Sequence, residues 1–250
     1  MTAPVLLVVA HGSRDPRHAA TVHALVREST ALRPGLRVEV AFLDFNVPAV
    51  PAVLESLAAD GVRDVVALPL LLTRAFHAKA DIPSVLRQAP PSLRIRQAEV
   101  LGPSPLLVSA LERRLYEAGL TPADRHSTGV VLASAGSTDP EAIAVIADMA
   151  RELRRTGWCT VRPAFASASL PRTEDAVRAL RADGVRRVAV APYVIAPGRL
   201  PDRIAAGAAD ADIMADVLGP APELARLLLR RYDEARAAGA SRTAVLPTAV

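Results

Sequence analysis

Three short segments of this chain carry residue types suited to metal or acid–base chemistry, and each stands at the end of an apolar run. His11 opens His11-Gly12-Ser13-Arg14-Asp15-Pro16 directly after Val5–Ala10 (VLLVVA). Asp44 ends the run Arg37–Asp44 (RVEVAFLD) and leads into Phe45-Asn46. Leu72 ends Asp64–Leu72 (DVVALPLLL), and Thr73-Arg74-Ala75-Phe76-His77 follows it. Imidazole and carboxylate suit a divalent first-row metal, and neutral imidazole also accepts a proton near neutral pH. Taken singly, each histidine is equally a loop residue bonded to backbone. Gly12, ahead of a helical pattern, offers an anion site at a helix N-terminus. Ser13 and Asp15 equally fit plain helix caps. No GxSxG or Walker pattern occurs.

The elements that must position these residues are legible as a regular alternation. Val5–Ala10 reads as a buried strand, and Arg17–Arg33 carries Ala20, Val22, Leu25, Val26 and Ala31 at helical spacing. Arg37–Asp44 is a strand and Pro48–Ala59 a helix with proline near its start. Asp64–Leu72 is the third strand, 79–88 a helix, Arg94–Leu101 the fourth strand and Pro105–Ala118 the fourth helix. Strands separated by helices of this length predict βαβ units and a parallel sheet covered on both faces. In such sheets ligands bind outside the carboxyl ends of the strands, so His11, Asp44 and His77 converge on one edge.

The pattern then repeats. AHGSRDP at Ala10–Pro16 is answered by SAGSTDP at Ser134–Pro140, and VEVAF at Val38–Phe42 by VRPAF at Val161–Phe165. ADGVRDVVALP ending at Pro69 is answered by ADGVRRVAVAP ending at Pro192, and VLGPSP from Val100 by VLGPAP from Val217. The offset is 124 at Gly12 and Gly136, 123 at Pro69 and Pro192, and 117 at the last block. One βαβ-type unit has been duplicated, and the second copy has lost residues after its third strand. The predicted halves are 1–122 and 127–238, joined by a polar, proline-containing linker, with 239–250 read as a frayed tail.

The duplication acts as an internal control. Ala135 stands where His11 stands, Ser167 where Asp44 stands and Leu200 where His77 stands, while Gly12, Ser13, Asp15, Phe42 and Pro69 all recur. Residues the fold itself needs should survive in both copies. The trio absent from the second copy therefore marks a site in the first half. His18 and His23 on the first helix, and His126 in the linker, are expected to be structural, and Cys159 beside Trp158 to be packing.

Composition removes other classes. With 250 residues, 51% hydrophobic, 22% charged and a mean hydropathy of +0.24, the chain can bury a sizeable core. No apolar run approaches the roughly 18–20 residues of a membrane span, and Val5–Ala10 lacks a basic leader, so a soluble, cytoplasmic protein is expected. One cysteine excludes an internal disulfide or a thiolate cluster held by one chain. The net charge of +4 is spread over scattered arginines with 3% aromatic residues, so no nucleic-acid partner is expected. A modest positive field suits a small acidic ligand.

VVAHGSRDP, FLDFNVPAV and PLLLTRAFHAKADIP together resemble the three active-site blocks of class II tetrapyrrole chelatases of the sirohydrochlorin chelatase family, with the second half as the degenerate repeat. The resemblance implies an α/β chelatase-like fold: two tandem flavodoxin-like parallel-sheet domains related by internal duplication, with a cleft between them. It implies ATP-independent insertion of Fe²⁺ or Co²⁺ into sirohydrochlorin, with no cofactor beyond the substrate metal. By motif position His11 matches the family's metal-binding general base and His77 its second metal histidine. Leu72, Thr73, Arg74, Ala75, Phe76 and His77 match its substrate loop. Asp44 falls where the family usually has Glu, one methylene longer, and is assigned to metal and substrate. Arg14, Arg74 and Lys79 are candidates for the substrate's carboxylates, and Ser13 is assigned to substrate binding. Fusion of the halves predicts a monomer. The alternatives are a nickel or other-porphyrin chelatase, and a non-enzymatic metal or tetrapyrrole carrier.

Overall fold

Val5–Ala10 forms strand β1, and its residues alternate between two hydrophobic layers as the period of a strand demands. Leu6, Val8 and Ala10 face a central core, whereas Val5, Leu7 and Val9 face an outer one. The computed structural model describes residues 3–74 and 77–243, of which 77, 78 and 239–243 are described by backbone only.

The first half continues with α1 (Pro16–Leu32), β2 (Val38–Phe42), α2 (Val50–Ala59), β3 (Asp64–Pro69), α3 (Ile82–Leu86), β4 (Arg94–Gln97) and α4 (Pro105–Glu117). After a capped 3₁₀ turn, Pro122–Ser127, in the expected linker, the second half gives β5 (Thr128–Ser134), α5 (Pro140–Arg155), β6 (Thr160–Phe165), α6 (Thr173–Ala182), β7 (Arg187–Tyr193), α7 (Arg199–Gly207), β8 (Ile213–Met214) and α8 (Pro222–Thr243). Two all-parallel sheets result, in the orders β2-β1-β3-β4 and β6-β5-β7-β8. These are the first four positions of the flavodoxin-type order, whose direction of winding reverses at the first strand of each half.

Several elements are shorter than the sequence predicts, for local reasons. β2 ends at Phe42, whose amide donates to the carbonyl of Pro48 at 3.0 Å as the chain folds back, and α2 begins only at Val50. β3 ends at Pro69, although the Leu70 amide still reaches the Val9 carbonyl of β1 at 2.8 Å. The helix expected over 79–88 is split into a π-helical turn, His77–Asp81, and α3, because Pro83 has no N–H to give the Lys79 carbonyl. α8 runs to Thr243, past position 239 where a tail is expected; 244–250 lie outside the described residues.

The halves exchange helices. α4, which precedes the linker, packs on β7 and α5 of the second half, and α8 packs back on α1, β3 and β4 of the first. Tyr232 donates to the carbonyl of Pro4 at 2.7 Å, Arg231 to that of Val100 at 2.9 Å, and Arg33 clamps Asp233 with two bonds of 2.7 and 2.8 Å. In return Glu112 of α4 accepts from Thr156 at 2.7 Å and pairs with Arg125 at 2.8 Å. The central core accordingly draws on both sheets: Leu6, Val8, Val66 and Leu68 from one, Val130, Leu132, Ala189 and Ala191 from the other.

Candidate functional site

The two strand-to-helix loops after β1 and β5 are built alike. Asp15 and Asp139 cap α1 and α5, accepting from Arg17 at 2.9 Å and Glu141 at 3.0 Å. Ser13 and Ser137 accept from the amides of those two aspartates at 3.1 and 3.0 Å. Gly12 and Gly136 both have φ +96, and a Cβ there would lie 1.8 Å from the Asp44 carbonyl oxygen or 1.9 Å from that of Ser167. Gly-Ser-x-Asp-Pro is therefore a scaffold that turns the chain beneath a neighbouring loop, and it leaves the position before the glycine free to vary: His11 in the first half, Ala135 in the second.

The carboxyl ends of β1, β3, β5 and β7 surround one cavity of about 930 Å³ between the halves. This lies at the upper end of the roughly 300–1,000 Å³ usual for small-molecule sites. His11, Ser13, Arg14, Leu72 and Thr73 line it, so the structure brings these sequence-predicted residues together. The Ser13 amide donates to the Asn46 side chain at 2.7 Å, and the Arg14 guanidinium lies 5.2 Å over the ring of Phe45. Phe45 itself stands edge-on to His11, centroid to centroid 6.3 Å, with φ +61, and is half exposed at the cavity mouth.

Other predicted residues lie elsewhere. Asp44 is exposed and outside the lining; its amide donates to the His11 carbonyl at 2.9 Å, and its carboxylate accepts from the Phe45 amide at 2.8 Å. Arg74 is exposed, 3.9 Å from Glu99. Lys79 crosses the cleft to pair with Asp139 and Glu141, both at 2.7 Å, so it is already neutralised by protein. Ala75, Phe76 and the His77 side chain lie outside the described residues. Among the described residues no three His, Cys, Asp or Glu side chains form a metal-holding group.

The structure adds residues to the lining that strand ends could not reveal. His18, expected to be structural, lines the cavity from α1, and its Nδ1 is buried without a hydrogen-bond partner among the described residues. Burial, and then the charge of a protonated His11, hold its imidazole below the ordinary value of 6.5, against a weaker pull from Asp15. Its signal in the sequence was helical: His18, Val22, Leu25 and Ser29 share the buried face of α1. From the second half come Arg199 and Arg203, together with Ser134 and Tyr193. These last two are register partners on β5 and β7, where the first half has Ala10 and Leu70. Tyr193 is 2% exposed, and neither hydroxyl has a hydrogen-bond partner among the described residues. Burial pushes the phenol well above its ordinary value, so it stays protonated.

A duplicated pair of parallel sheets, closing strand ends around one cleft, defines a two-lobed, chelatase-like α/β protein. The family model named CbiX matches residues 5–118 and 129–235, and the chain belongs to that family. It is 28% identical over 208 residues to the sirohydrochlorin cobaltochelatase of Priestia megaterium, a match spanning 80% of this chain and 66% of that one. It is 28% identical over 205 residues to the sirohydrochlorin ferrochelatase of Bacillus subtilis, spanning 80% and 77%. SirB from Bacillus subtilis, solved with Fe³⁺, superposes with a TM-score of 0.82 at 26% identity, covering 96% of this chain and 98% of that one.

Proposed function

We propose that this chain inserts a divalent metal, Fe²⁺ or Co²⁺, into sirohydrochlorin without ATP. It is an enzyme, a lyase of the chelatase class. The observation that carries this reading is the lining of the cleft: two imidazoles and three guanidiniums on an otherwise mainly apolar wall, with no Asp or Glu among the described lining residues. Such a wall takes a flat apolar ring that carries acidic arms. The relatives named above, one cobalt and one iron chelatase, support the same chemistry.

Metal insertion removes two pyrrole protons as the ion enters the ring. His11, fixed by the Gly12 turn at the end of β1, holds the incoming ion and, once the ion has passed to the ring nitrogens, accepts one of the two protons, as an imidazole near neutral pH can, while the other leaves to solvent. His77 is the second imidazole. Asp44, at the rim beside His11, offsets the positive charge of the metal. Ser13, Arg14, Leu72 and Thr73 seat the substrate, with Arg74, Ala75 and Phe76 completing the loop. Residues 1–122 thus carry the metal chemistry. The protein works as a cytoplasmic monomer, with no cofactor beyond the metal it inserts. No helix among the described residues is long and apolar enough to cross a membrane.

Incubation with sirohydrochlorin and Fe²⁺, Co²⁺ or Ni²⁺ separately, followed by absorption, tests the reading. Many turnovers with iron or cobalt are expected. Spectral change that stops at one equivalent of protein would make it a carrier, and turnover with nickel alone would overturn the choice of metal.

A further inference from the structure

Two cations of the cleft belong to the half that lost the histidines. Arg199 is the first residue of α7 and Arg203 lies four residues on, so both project from one face of that helix. Both line the cavity, both are exposed, and neither has an ion-pair partner among the described residues. Asp202, the acid nearest in sequence, pairs with Arg17 at 3.0 Å, and Asp139 and Glu141, at the start of α5, hold Lys79. No protein carboxylate among the described lining residues competes for the two guanidiniums.

The repeat shows that these arginines are not inherited scaffold. At the offset of Pro69 and Pro192, Arg199 corresponds to Phe76 and Arg203 to Ala80, while Leu200 stands where His77 stands. The second copy has given up an imidazole and acquired guanidiniums around the same position. A guanidinium binds a carboxylate through two parallel charge-assisted hydrogen bonds and holds its charge at any relevant pH.

We propose that Arg199 and Arg203 form a carboxylate-binding subsite, so that the second half grips the acidic arms of the tetrapyrrole while the first half handles the metal. This rests on the tetrapyrrole reading of the cleft. It assigns the degenerate copy a binding role, where loss of the histidines alone would leave it a wall.

The test is a metal-free titration, followed by fluorescence, of the full chain with sirohydrochlorin and with its methyl ester, in which the arms are uncharged. Arg199→Gln and Arg203→Gln are each expected to weaken binding of the free acid by about tenfold, and the pair by more, as loss of a charge-assisted contact implies. The double variant should also show a flatter dependence on ionic strength, and the ester should bind it as it binds the parent. Arg203→Lys should recover part of the loss. Arg186→Gln, at the opposite end of β7, is the control and should change nothing. A double variant that binds the free acid within twofold of the parent, or loses both ligands equally, overturns the subsite. Failure of the parent to bind sirohydrochlorin at all overturns the tetrapyrrole reading, and the subsite with it.

Discussion

His11 and His18 lie on the same wall of the cleft, yet their backgrounds differ. His11 occupies a turn whose other residues recur in the second half, and Ala135 fills its place there without disturbing the cap or the glycine. His11→Ala is therefore expected to leave far-ultraviolet dichroism and melting temperature nearly unchanged while lowering metal insertion by about 10²–10⁴-fold, the usual worth of a positioned acid–base group. Turnover near the parent value would remove His11 from the mechanism. Burial lowers the His18 imidazole from its ordinary value, with a smaller push in the same direction from His11 whenever His11 is protonated, and stability depends on pH as a result. Below about pH 6.5 the unfolded chain takes up a proton at this imidazole that the folded chain resists. The unfolded state then binds more protons, so stability falls as pH falls. The carboxylates whose values are lowered, such as Asp15, Asp64 and Asp139, push in the same direction, but only in the more acidic range of carboxylates. Between about pH 7.5 and pH 5, His18→Gln should flatten the decline in melting temperature, and an unchanged slope would show that His18 titrates as if solvated.

At the scale of elements, the two strand-to-helix loops are the same device used for different ends. Adding a Cβ at Gly12 or Gly136 forces a left-handed φ on an L-residue and drives it into a backbone carbonyl, so each alanine variant should lose at least ~2 kcal/mol. Equal thermal penalties are expected, whereas Gly12→Ala alone should abolish insertion at a temperature where both variants are folded, because only that loop carries His11. Equal loss of activity in both would mean that the second loop touches the reacting atoms. The same loops show what a sequence can disclose. Ser13, Arg14, Leu72 and Thr73 were legible because strand ends in an α/β sheet converge, and that follows from period and topology alone. His18, Arg199 and Arg203 were not, because they reach the cleft from helices, and the face a helix turns to a ligand depends on how it packs. The place of Asp44 outside the lining was hidden for a related reason: its carboxylate accepts from the Phe45 amide of its own loop at 2.8 Å. Pro83 could have warned that the helix after the third strand would be split, since it leaves a carbonyl without its donor.

For the whole molecule, the repeat in the sequence predicts two like halves, but it carries no sign that they trade helices. Periodicity gives α4 and α8 an apolar stripe each and says nothing of which sheet the stripe meets. The short linker and the tie between Glu112 and the second half bring α4 across, and the clamp of Arg33 on Asp233 brings α8 back. α8 buries Leu224, Leu227, Leu228 and Tyr232 in the core shared by both sheets. At about 1.5–3 kcal/mol for each fully buried side chain, these four contribute roughly 6–12 kcal/mol before entropy is charged. That is comparable with the roughly 5–15 kcal/mol that holds a whole domain folded. A fragment ending at 122 would lack α8 and would also expose Leu107, Leu111 and Leu115 of α4, which the second half covers. Expressed alone, 1–122 should give no cooperative melting transition and no near-ultraviolet dichroism. Mixed with 123–250, it should recover both, together with a single species of the parent's hydrodynamic size and, on the chelatase reading, metal insertion. A fragment 1–122 that melts cooperatively near the parent's temperature would show that the exchange decorates two independent domains. Recovery on mixing would instead make the two halves one folding unit, whose cleft is as rigid as the core that passes through it.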